Sequence, residues 1–362
     1  VTSPSDPIAA VSQRLASFVA DETARWQGSG AETASFLTAA ASAVDGGKRL
    51  RARFCLAGWE AVAHRTAPSA QPGADVIAAA AALEVFHAAA LVHDDLIDNS
   101  DTRRGRPAAH RGLEAHHRGA GWAGDPVAFG RSGAILLGDL LVAWSDDLLE
   151  QGLTQAAHAA GAREVYALMR REVTVGQFLD IAEEAAFVTA PAADHAERAL
   201  RVASLKSARY SVQHPLLLGA RLAGADASQT AALSEFGHPL GLAFQLRDDV
   251  LGVFGDAAVT GKPSGDDLRE GKRTVLIAYA RERMTASAVV GFDALLGDTG
   301  LDDTQIADLQ QTIIDTGALE RVEQLIAGYT LEADAALQDA PLAATTIDTL
   351  RALARDATAR TA

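Results

Sequence analysis

A chain of 362 residues with 48% hydrophobic content can bury a large core, and with aromatics at only 5% that core must be built from Ala, Leu and Val, as suits closely packed helices. The net charge of −15 argues against nucleic acid as a partner, so any anion site needs its basic residues concentrated locally. A single cysteine, Cys55, excludes an internal disulfide and a Cys-rich metal site, and is expected to be a small core residue.

The first residues, VTSPSDPIAA, show neither the basic start nor the apolar run of a signal peptide, and a cytoplasmic location is expected. Periodicity predicts helices over 8–27, 31–43, 49–64, 74–99, 132–151, 154–186, 196–224, 227–255, 272–284, 303–316, 318–338 and 342–358, with no convincing strand alternation. The breaks at 66–74, 119–133, 188–194 and 255–267 are rich in Gly, Pro, Ser and Asp, and none resembles a long flexible linker. One all-α domain over 1–362 is therefore expected. The apolar run ADVIAAAAALEVFHAAALVH is interrupted by Glu and His and followed by carboxylates, which fits a buried core helix and no membrane span.

The segment HDDLID sets Asp94 and Asp98 four residues apart, on one helical face and about 6 Å apart along the axis. Like charges at that spacing destabilise a helix unless something neutralises them. A second acidic pair, Asp248 and Asp249 in FQLRDDVLGVFGD, follows another strongly apolar stretch. Solvated helix ends would explain one such pair; two of them point to bound cations. Oxygen ligands without a His or Cys set suit Mg²⁺, which takes one or two carboxylates together with substrate phosphates.

Positive charge gathers at GGKRLR (46–51), TRRGRP (102–107), LKSARY (205–210) and GKPSGDDLREGKRT (261–274). Gly lets the backbone approach an anion, while Lys and Arg supply charge-assisted donors. Two acidic and four basic clusters among apolar helices suit a substrate with a multiply charged anionic head and an apolar tail.

In order along residues 43–275, GGKRxR, H-x6-DDxxD, RRGxP, GQxxD, Lys followed by Ser, FQxxDD and GKxxGxD followed by GK-x-T are present. Together they resemble the trans-isoprenyl diphosphate synthase (polyprenyl synthetase) family, in particular its short- to medium-chain, geranylgeranyl diphosphate synthase-like members. The resemblance implies an all-α isoprenoid-synthase helical bundle around a central cavity. It also implies a homodimeric prenyltransferase using three Mg²⁺ per active site to join isopentenyl diphosphate to an allylic diphosphate. Asp94 and Asp98 would hold two ions, with Asp95 in support, and Asp248 the third. Arg103, Lys206 and Lys262 would grip the allylic diphosphate, and Lys48, Arg51, His87 and Arg104 that of isopentenyl diphosphate. Gln177, Asp180, Gln245 and Lys272 match polar cavity positions. His87 alone would read as a satisfied core histidine, but it precedes Asp94 by seven residues, two turns along the same face. The departing diphosphate would take the proton, so no His or Glu base is implied.

In this family the residues four and five before the first aspartate often form the floor of the tail pocket. Here they are Ala90 and Ala89, too small to enforce a C15 limit. Phe86, about 12 Å from Asp94 along the helix, and Trp144 are the next candidates, and the expected product is C20, with C15 and C25 as alternatives. The chain departs from the family pattern at Gly252, where the last aspartate of the second motif is usual. It departs also at Ala52 (usually Pro), Ala108 (usually Thr) and Ser207 (usually Thr), the last still counted as substrate-binding. A class I terpene cyclase would not need GGKRLR and carries an N-D-x-x-S-x-x-x-E motif that is absent here. A non-catalytic partner subunit would tend to lose one aspartate cluster, and both are present.

Overall fold

The computed structural model describes residues 6–255 and 264–358. Helices dominate, and the strands among the described residues are two of two residues each, β1 (Thr102–Arg103) and β2 (Arg106–Pro107). The chain forms two compact units, Val1–Ala162 with Leu218–Gly224, and Arg163–Leu217 with Ala225–Ala362.

The first unit holds α1 (Pro7–Arg25), α2 (Ala31–Val44), α3 (Leu50–Ala63), α4 (Ala74–Ile97), α5 (Ala109–Gly119) and α6 (Pro126–Leu153). Helix α4 is its centre and packs against all five others. The run Ala78–Ala82 is buried throughout, because small side chains let neighbouring backbones approach from several sides. Helices α4 and α6 are long and apolar enough to cross a membrane by length and composition, but α4 is mostly buried among its neighbours. Helix α6 buries Gly130, Ala134, Leu137, Leu141, Trp144 and Leu148, a three-and-four spacing that lays one stripe on the core.

Two expectations in this unit need correction. Helix α6 starts at 126 rather than 132: Asp125 accepts a hydrogen bond from the Val127 N–H at 2.9 Å and Pro126 occupies the first turn, a start signal hidden inside an apparent Gly-rich break. Helix α5 was not expected, because Leu113 is its only large aliphatic and its buried face is otherwise His110 and His117.

In the second unit, α7 (Ala227–Phe254) packs against the helix Ala318–Ala336 and against Ala203–Gln213. The predicted single helix over 196–224 is instead His195–Val202, a stretch of wide π-type turns over Ala203–Gln213, and His214–Leu222. Pro215, in the first turn of the third piece, marks the far end of this change, since proline has no N–H to carry a continuous helix through. The π-type segment packs closely on glycines on both sides: a Cβ on Gly176 would lie 2.3 Å from the Lys206 backbone nitrogen, and one on Gly241 2.4 Å from the Ala208 carbonyl oxygen. Short helices at Asp266–Glu270 and Ala286–Leu295 also escaped the periodicity.

Candidate active site

The first acidic motif lies at the end of α4. Asp94 and Asp98 are partly exposed, whereas Asp95 is 2% exposed. Asp95 accepts hydrogen bonds from Arg103, from Nε at 2.7 Å and also from a terminal nitrogen. That same terminal nitrogen lies 3.8 Å from Asp94. The middle aspartate thus anchors an arginine, while the outer two present their carboxylates from one helical face. Among the described residues no three His, Cys, Asp or Glu donors converge on one point.

Arg103 reaches this position through a hairpin. β1 and β2 pair antiparallel, with Arg103 opposite Arg106, and the linking residues Arg104 and Gly105 both have positive φ, 53° and 70°. Positive φ at both central residues is the mark of a type I′ turn, whose twist matches paired strands. The hairpin in turn pins the basic loop 46–51. Arg104 donates to the Asp45 carbonyl at 3.2 Å, and Arg106 pairs with the Asp45 carboxylate at 3.6 Å. Gly47 has φ 87°, a backbone conformation that favours glycine, and a terminal nitrogen of Arg104 lies 2.9 Å from where a Cβ would stand.

These contacts gather Arg49, Arg51, Arg103 and Arg104 around His87. Burial first, then those guanidiniums, hold the His87 imidazolium well below the usual histidine range. His87 is therefore neutral in the folded protein. The unfolded chain binds that proton more readily, so stability rises as pH passes through about 6.5 and falls on acidification. Urea unfolding of His87→Gln between about pH 5 and 8 should show a flatter profile than the parent. His110, His214 and His238, which burial also lowers, add to the remaining slope, and Asp249, whose pKa is raised, opposes it. A profile unchanged by the substitution would contradict a neutral His87.

On the apolar side, Phe86 (7% exposed) and Ala89 are buried and Ala90 is partly buried. Trp144 is 2% exposed and packs edge-on against Phe18 at 6.0 Å, which accounts for it as a core residue.

In the second unit, Lys206 lies in the π-type segment and donates to Asp180 at 2.5 Å. Lys272 is 3.6 Å from the same carboxylate oxygen. Asp249 is buried and accepts from Gln245 at 2.7 Å. Its pKa is raised well above the usual carboxylate range, by desolvation first and then by the negative charges of Asp267, Asp248 and Asp180. Asp248 is partly exposed on the same helix, and Gln177 and Ser207 are likewise partly exposed. Lys262 lies outside the described residues.

The position of Gly252, where the family's motif usually ends in aspartate, has an unexpected neighbour. A Cβ built there would lie 2.1 Å from a carboxylate oxygen of Asp267. Gly252→Asp should therefore destabilise the protein by about 1–3 kcal/mol through overpacking, and lower turnover rather than raise it. Thermal unfolding and steady-state kinetics of that variant check this; a gain in both would show that Asp267 moves aside without cost. Asp267 closes the GKxxGxD motif, but the sequence reading gave it no role and did not pair it with Gly252. Sequence reasoning missed Glu84, although a lone acid within the apolar run ALEVFH was the available signal.

Residues 34–313 match the family model described as Polyprenyl synthetase. A geranylgeranyl diphosphate synthase of Methanosarcina mazei is 31% identical over 287 residues, covering 79% of this chain and 78% of the relative. A geranylfarnesyl diphosphate synthase of Aeropyrum pernix is 31% identical over 300 residues, covering 82% and 84%. The crystal structure of a geranylgeranyl pyrophosphate synthase from Corynebacterium glutamicum, complexed with isoprenyl diphosphate and magnesium, superposes with a TM-score of 0.91 at 40% identity over 100% of both chains. With its helical fold, its ordered motifs and these relatives, the chain belongs to the polyprenyl synthetase family and is a prenyltransferase.

Proposed function

We propose that this prenyltransferase condenses isopentenyl diphosphate with an allylic diphosphate in a Mg²⁺-dependent reaction and stops at the C20 product, geranylgeranyl diphosphate. The observation that carries the reading is the pairing at the end of α4: two partly exposed carboxylates, Asp94 and Asp98, beside an arginine that buried Asp95 holds in place. Such an arrangement addresses a cation and the anion it neutralises together. Magnesium ions, when bound, offset the charge that develops on the leaving diphosphate oxygens. Asp94 and Asp98 would hold two ions and Asp248 a third; the magnesium in the Corynebacterium glutamicum complex supports the choice of ion.

Arg103, Lys206 and Lys262 grip the allylic diphosphate and stabilise the charge it gains as the C–O bond breaks. Lys48, Arg51, Arg104 and neutral His87 bind the diphosphate of isopentenyl diphosphate, while Gln177, Asp180, Ser207, Gln245 and Lys272 complete the polar lining. The buried apolar side chains of α4 keep water from the allylic cation. The double bond of isopentenyl diphosphate attacks that cation, and the proton then lost passes to the departing diphosphate. The whole chain acts as one synthase domain. A homodimer in the cytoplasm completes the reading, supported by the exposed apolar side chains Ile135 and Leu136 on α6, which a second copy would cover.

Chain length is tested by sizing dephosphorylated products made with saturating isopentenyl diphosphate. The parent enzyme should end at C20. With Ala89 and Ala90 small and Trp144 committed to Phe18, Phe86 is the floor, and Phe86→Ala should shift the product to C25 or longer. A C20 product from Phe86→Ala would remove Phe86 from that role, and a parent product of C15 or C25 would overturn the C20 assignment.

A further inference from the structure

Helix α3 has no N-terminal cap of its own. The preceding residue, Arg49, has φ 52° and no side-chain hydrogen bond to the first turn. The Ala52 N–H donates instead to Oε1 of Glu84 on α4 at 3.0 Å. Ala52 is fully buried and Glu84 is 6% exposed, so water is not an alternative partner for either. The other carboxylate oxygen of Glu84 lies 3.7 Å from a terminal nitrogen of Arg49, and that nitrogen also donates to the Val44 carbonyl at 3.1 Å. One buried carboxylate therefore holds both sides of the turn that carries Lys48 and Arg51.

Ala52 stands where proline is usual in this family. Proline has no N–H and is tolerated in the first turn of a helix, so a chain with proline there has no donor to satisfy. Alanine introduces a buried N–H at the third helical position, one of those that a capping side chain normally serves. Glu84 serves it from another helix. It lies three residues before His87 on α4, on the same face.

We propose that Glu84 is a positioning residue that caps α3 from α4, fixing the basic loop 46–51 relative to His87, and that Ala52 is what makes this cap necessary. The proposal rests on the reading that this loop binds the diphosphate of isopentenyl diphosphate. Glu84 acts through Lys48 and Arg51 and touches neither substrate.

The test is a double-mutant cycle between Glu84 and Ala52, read as KM for isopentenyl diphosphate, KM for the allylic diphosphate and kcat. Glu84→Leu should raise the first about tenfold, the scale of one lost buried hydrogen bond, and leave the other two within about threefold. Ala52→Pro alone takes a donor from the buried Glu84 carboxylate, which Arg49 still faces, and should raise the same KM by less than Glu84→Leu does. In the Ala52→Pro background, Glu84→Leu should add less than about threefold, because the donor it would strand is gone. An equal penalty in both backgrounds, or equal rises in KM for both substrates, would overturn the proposal. Should Glu84→Leu fail to fold, amide hydrogen exchange of the unaltered protein decides. The Ala52 amide should be protected, and exchange as fast as that of exposed loops would overturn the cap. A parent enzyme that does not elongate at all would instead count against the functional reading.

Discussion

Asp94→Asn should lower kcat for elongation by about 10²–10³-fold, the usual cost of removing one preorganised electrostatic contributor to a developing charge. Stability should change by less than about 1 kcal/mol, because the substitution also removes one member of a like-charged pair four residues apart. Asp94 is partly exposed, and the strongest link of Arg103 is to Asp95, so the arginine keeps its anchor. Thermal unfolding with and without Mg²⁺ separates the two effects. The parent should gain stability from the ion because binding favours the folded state, and Asp94→Asn should gain less. A variant that turns over within tenfold of the parent would remove Asp94 from the proposed metal site.

Gly176→Ala should fail in a different way, losing stability and turnover together. The added Cβ would lie 2.3 Å from the backbone nitrogen of Lys206 and 2.6 Å from the Leu205 carbonyl carbon. These are backbone atoms, so relief requires moving the π-type segment itself. The cost should be about 1–3 kcal/mol, partly offset by the better helix propensity of alanine. A shift of Lys206 by about 1 Å would reduce kcat up to about a hundredfold. Urea unfolding together with steady-state kinetics checks this. Parent-like turnover would mean that the segment can move without carrying the lysine's charge away from its work.

The residues explain why some features were legible in the sequence and others were not. Helices α3 and α4 declared themselves through long apolar runs, and the four-residue spacing of Asp94 and Asp98 placed them on one face without any coordinates. Local chemistry was harder to read where it depended on contacts distant in sequence. The hairpin at 102–107 rests on positive φ at Arg104, which an arginine does not advertise. The π-type segment Ala203–Gln213 packs against Gly176 and Gly241, glycines on other helices. Asp267 over Gly252 and Glu84 under Ala52 are likewise pairings across the fold. In both, a departure from the family pattern was visible in the sequence, but its neighbour was visible only in three dimensions.

The most direct measurement incubates the purified protein with labelled isopentenyl diphosphate and a C10 allylic diphosphate, with Mg²⁺ or with a chelator. Labelled prenyl diphosphate should form only with Mg²⁺, releasing one inorganic diphosphate for each isopentenyl unit incorporated. Absence of labelled product with Mg²⁺ from C5, C10 and C15 starters, or equal product in the chelated sample, would contradict the account.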